Sequence, residues 1–194
     1  MIPAPAPAVS HSIDLPANGL LGMTREALVS LCASLLREVG PNAAAYLQNS
    51  GYAGGATLFD AFTNWLLARG YGTPDAVPAL KFGVRATQFF RELGWGSLEL
   101  GAVGEAVATI DSPDWAEADP SIALEFPGCH LTTGVFADFF GRIAGSPLAV
   151  MEVECRSMGG HRCRFLLASA EVMQHVYDAM GQGMSYDAAV ASAE

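Results

Sequence analysis

Basic residues are scarce in this chain: ten Lys and Arg stand against twenty Asp and Glu in 194 residues, a formal charge of −10. Such a surface repels a polyanionic backbone on average, which argues against direct nucleic-acid binding. Long apolar runs are also missing. The stretch from Ser146 to Met151 is among the longest and falls far short of the ~20 residues that a membrane-spanning helix needs. The first residues carry no basic segment followed by an apolar block, so no secretory signal is expected and the cytoplasm is the expected setting. Charge of either sign is thin, at 15% of residues, whereas 51% are hydrophobic and the mean hydropathy is +0.29. A domain of this length buries roughly 70% of its unfolded surface. The apolar excess beyond such a core points to a self-association face or an apolar cavity.

Residues 1–22, with prolines at positions 3, 5, 7 and 16, read as a flexible arm because proline interrupts both helices and ladders. From Thr24 the pattern becomes helical: Leu28, Leu31, Cys32, Leu35, Leu36 and Val39 recur at three- and four-residue steps, and Gly40-Pro41 stops them. Asn42 is placed to cap a second, short helix ending at Gly51, and a third is expected from Thr57 to Arg69. Ala79 to Leu93 reads as a further helix, followed by two antiparallel strands around Trp95–Leu100 and Ala106–Ile110. A long loop with three prolines leads to a helix from Cys129 to Ile143, then a hairpin (Leu148 to Cys155 and Arg162 to Ala168 about Gly159-Gly160). Ser169 caps a last helix, and 183–194 reads as a tail with a frayed helical turn. Helices and strands are grouped rather than alternating, so the fold class expected is α+β, in a single domain over 23–182.

Four cysteines are present. Cys32 sits on an apolar helix face and reads as a core residue. Cys129 falls at a helix start, where free N–H groups favour a thiolate, and Cys155 and Cys163 flank a turn that brings them together. Zinc ligands, buried free thiols and a redox pair all remain open on this pattern. Nearby donors are Glu152, Glu154, His130 and His161. On a regular strand Glu152 and Cys155 point to opposite faces, so they can meet only if the strand bulges between them.

The segment Gly145 to Phe165, GSPLAVMEVECRSMGGHRCRF, carries a Glu-x-x-Cys-x7-Cys motif with Cys129 upstream. It resembles the 4-vinyl reductase domain, found in bacteriochlorophyll-biosynthesis proteins, archaeal stand-alone proteins and the sensory modules of phenol- and toluene-responsive activators. The resemblance implies Cys129, Glu152, Cys155 and Cys163 as ligands of one structural zinc ion, with Glu154 and His161 outside the ligand set. It also implies helices packed on a small antiparallel sheet, as in TRAPP transport-particle subunits and NO-signalling ligand-binding domains, an apolar pocket and a homodimer. Pocket candidates are Val135, Phe136, Phe139 and Phe140 on the helix after Cys129, with Val150, Trp95, Trp115 and His130 around it. The polar residues that hold the hydroxyl in the phenol sensors fall here near Ala108 or Thr109 and near Leu80 or Lys81, which makes a phenol reader a poor match.

No GxGxxG follows a strand and no phosphate-binding loop is evident, so a reductase has no visible hydride site and no catalytic residues are assigned. The function expected is a zinc-stabilised binding protein for a small hydrophobic or aromatic ligand, with a tetrapyrrole carrier in (bacterio)chlorophyll metabolism as the concrete case. The alternatives are a protein–protein scaffold on the same fold and a sensory module acting through a separate partner.

Overall fold

The structure, a computed structural model, describes residues 12–40 and 42–193; part of the expected arm, residues 1–11, lies outside them. Ten main elements follow in order: α1 (Arg25–Val39), α2 (Asn42–Ala68), α3 (Ala79–Glu92), β1 (Glu99–Val103), β2 (Val107–Ser112), α4 (His130–Ala144), β3 (Ala149–Glu154), β4 (Cys163–Ala168), α5 (Ala170–Gly181) and α6 (Tyr186–Ala191). The fold is α+β. One antiparallel sheet runs in the order β1-β2-β4-β3, with α2, α3 and α4 on one face and α5 and α6 on the other.

The two faces follow from alternation along the central strands. Phe165 and Leu167 of β4, with Ile110 of β2, enter the larger core, where Phe62, Phe89, Phe90, Phe136 and Phe139 interlock edge to face. Leu166 and Ala168 point the other way, onto Val176 of α5 and Val190 of α6. The terminal segment expected to fray therefore forms a packed helix, because Ala189 and Val190 close the second core and Ser185 caps it. At the other end, Ile13 and Leu20 lie against the larger core.

The two helices expected on either side of Gly51 are one helix of 27 residues. Gly51 does not terminate it; a Cβ there would collide with the carbonyl of Leu131, and one at Gly134 would collide with the carbonyl of Gln48. These glycines let α2 and α4 meet backbone to backbone. Close helix packing, rather than backbone freedom, is their use here. Among the described residues no helix is long and apolar enough to cross a membrane.

Candidate metal centre and apolar groove

Cys129 is the N-cap residue of α4, Glu152 lies on β3, Cys155 follows β3 and Cys163 opens β4. Their ligand atoms all lie within 4.8 Å of one another, and all four residues are buried. The expected bulge is what unites them. Glu152 pairs with Phe165, but Glu154 pairs with Arg164, so one extra residue is accommodated on β3 between these pairs. Glu152 and Cys155 thereby share the face of the larger core, and Glu154 turns to the opposite face.

The Cys129 sulfur is 4.0 Å from that of Cys155 and 3.8 Å from that of Cys163. Sulfurs bound tetrahedrally at about 2.3 Å from a zinc ion are about 3.8 Å apart, whereas a disulfide needs about 2.05 Å. Glu152 Oε2 accepts the backbone N–H of Cys129 at 2.8 Å, while its Oε1 is buried without a partner. A buried orphan oxygen beside three thiols fits a cation. The charges agree. Hydrogen bonds from Cys129 and Cys163 pull the Cys155 thiol far below its ordinary range, so one thiolate is shared. Burial, then the nearby Cys155 charge, pushes the Glu152 carboxyl up, and burial pushes the Cys129 thiol up. Four acidic donors cannot all ionise in a dry site unless a metal ion is among them. The donor set is complete for tetrahedral coordination, so it fits a structural ion.

Glu154, on the far face, joins an ion network that pins α6. Arg162 holds it through two bonds of 2.8 Å, the Tyr186 hydroxyl donates to it at 2.6 Å, and Arg164 grips Asp111 through two bonds of 2.7 Å. The Arg162 bond is the main cause that holds the Glu154 carboxyl down at about 2. His161 is exposed. His130, beside Cys129, is half-buried and its basicity is lowered by burial.

A cavity of ≈ 500 Å³ lies between the 19–25 segment, α1, α2 and the start of α4. Its walls include Leu20, Leu28, Leu31 and Leu58, with Leu131 and Val135 contributed by α4. Of the eight pocket candidates, Val135 and Trp95 line it. Phe136, Phe139, Phe140 and Trp115 are instead buried in the larger core, and Val150 packs against it. The reason is face selection: on α4 the Phe stripe turns toward the sheet, leaving Leu131 and Val135 toward α1 and α2. Leu80, near where the sensors carry a polar ligand contact, is 98% exposed. Missed by sequence reasoning was Glu117, 4% exposed, which bonds the first turn of α4. Its only sequence signal is an acid shortly before a helix start, where unpaired N–H groups need acceptors.

With this geometry in hand, comparison with known proteins decides the family question. Residues 120–168 match the 4-vinyl reductase domain. The resemblance carried by the cysteine motif is thereby shown, and the matched stretch spans all four residues of the cluster. Among solved structures, the crystal structure of the phenol-responsive sensory domain of the transcription activator PoxR with phenol is similar in fold. It is 16% identical, with a TM-score of 0.57, and the match covers 78% of this chain and 77% of that chain. A vinyl-4-reductase family protein from Methanocaldococcus jannaschii is 18% identical, with a TM-score of 0.46 and coverage of 62% of this chain and 66% of that one. Among curated proteins, none matches the chain.

Proposed function

We propose that this chain is a zinc-stabilised binding domain whose apolar groove takes a small hydrophobic or aromatic ligand. The observation that carries the reading is the shared helix: Cys129 at the start of α4 belongs to the Cys/Glu cluster, and Leu131 and Val135 on the same helix wall the groove. Cys129, Glu152, Cys155 and Cys163 would hold the ion and tie the start of α4 to the β3–β4 hairpin. Bound there, zinc supplies cohesion between the two elements. A reducing compartment such as the cytoplasm suits free thiols of this kind.

The groove volume of ≈ 500 Å³ lies within the usual range for small-molecule sites, roughly 300–1,000 Å³. Its walls are mostly aliphatic, and Arg25 is already engaged with the carbonyls of Gly94 and Asp114 at 3.1 and 3.3 Å. Such walls favour a ligand more apolar than the phenol of the PoxR structure, and a tetrapyrrole is the concrete candidate. A sensory role on this fold would pass its signal to a separate partner. Leu21 and Leu31, on the groove rim, are 95% and 49% exposed, which supports a homodimer that covers them.

Native mass spectrometry of metal-intact protein should show one zinc per chain in a dimer. Titration with protoporphyrin should shift its absorbance at micromolar concentration. A folded, metal-free protein would defeat the metal half of the reading, and an unmoved spectrum the tetrapyrrole half. The scaffold reading draws on Leu80 and Val84 of α3, exposed at 98% and 56%. It gains ground if the groove refuses every apolar probe.

A further inference from the structure

Glu117 is a second buried acid, outside the Cys/Glu cluster, and it touches several parts of the molecule at once. Its Oε1 accepts the backbone N–H of Leu131 at 2.9 Å and lies 3.9 Å from the Cys32 thiol of α1. Its Oε2 accepts the N–H of Thr132 at 2.8 Å and the Thr132 hydroxyl at 2.5 Å. That hydroxyl in turn accepts the Trp115 indole N–H at 2.7 Å. Leu131 is groove wall and stands two residues from Cys129, and Ala116, the neighbour of Glu117, is groove wall as well. The loop that carries Glu117 is also tied to the hairpin of the cluster. Asp119 N–H donates to the Ser157 hydroxyl at 2.9 Å, and Leu124 N–H to the Ser157 carbonyl at 2.7 Å.

An exposed acid would satisfy the first N–H groups of α4 at far lower desolvation cost. What the buried position adds is contact with α1 and Trp115, so that groove wall, helix start and cluster loop move together. We propose that Glu117 is a positioning residue that couples the groove to the metal centre: a ligand seated against Leu131, Ala116 and α1 fixes the first turn of α4 and with it the seat of Cys129. The inference rests on the reading of groove and cluster given above. Because coupling between two binding sites is reciprocal, it is measurable from either one.

The test uses the full chain loaded with zinc and N-phenyl-1-naphthylamine as an uncharged apolar probe. Zinc release to a chromophoric chelator is followed with and without saturating probe. In the wild type the probe should slow release about fivefold, the lower end of ordinary coupling between sites. In Glu117→Gln and in Thr132→Val, each still binding probe and one zinc, the probe should leave the release rate unchanged. Cobalt-loaded protein adds a signature that stability alone does not move: its ligand-field bands should shift on probe binding in the wild type and stay fixed in the variants. If Glu117→Gln fails to fold, Thr132→Val carries the test. Equal slowing in the wild type and in the variant tested overturns the proposal, as does an unaffected wild type that binds both zinc and probe. A wild type that binds no zinc or no probe overturns the functional reading and this inference with it.

Discussion

At the scale of single residues, the cluster joins donors that are costly to bury unless something satisfies them together. Glu152 shows this most directly, with one oxygen on the Cys129 N–H and the other buried and unpartnered. Replacing Cys155 with Ser removes a ligand from the hairpin end of the set. Loss of a structural metal is among the few single changes that cost on the order of 4 kcal/mol. For a domain of this length, that corresponds to a fall of about 10 °C in thermal midpoint. Calorimetry with parallel metal analysis checks it, and an unchanged midpoint with full zinc content would remove Cys155 from the ligand set. These four residues were legible in the sequence because motif spacing is a local property. Glu117 was not, since an acid in a proline-containing loop has no period to betray it; only the folded loop places it under α4.

At the scale of elements, the α2–α4 contact turns on glycine. Adding a methyl at Gly134 drives it into the backbone of α2, where nothing flexible can yield. Gly134→Ala should destabilise by about 1–3 kcal/mol, as overpacking usually does. Gly54→Ala, on the same helix pair but with nothing within 4 Å of its new methyl, should stabilise by roughly 0.5–1 kcal/mol through helix propensity. Paired urea melts of the two variants would show opposite signs; the same sign would mean that the helices are farther apart than described. The Glu154 clamp gives a pH dependence. Its carboxyl sits at about 2, below the ordinary 4.5, so its contribution is complete above pH 4.5 and lost as pH falls through about 2. Glu154→Gln should therefore lower the melting temperature near neutrality, with a gap that shrinks below pH 4.5. A gap that instead widened on acidification would contradict the ion network. Sequence periodicity located nearly every element, yet it split α2 at Gly51, because glycine as terminator and glycine as contact surface look alike until the neighbouring helix is in place.

At the scale of the whole molecule, α4 is the shared member: its start belongs to the cluster, one side to the groove and the other to the aromatic core. Chelation should therefore disturb more than the hairpin. Removing zinc is expected to lower the thermal midpoint and to weaken binding of an apolar probe in the groove, both restored on adding zinc back. Fluorescence titration alongside circular dichroism checks this, and probe affinity indifferent to metal would separate the two sites.

The sequence by itself determined the α+β class, the cysteine and glutamate spacing of the 4-vinyl reductase stretch, and the need for a bulge before Cys155, because each depends on residues close together along the chain. Only the tertiary structure decided which aromatics became core and which residues became groove wall. It also joined two helices into one and seated Glu117 beneath α4. Those outcomes depend on which faces distant elements turn toward one another, and burial on a helix is settled by its partners.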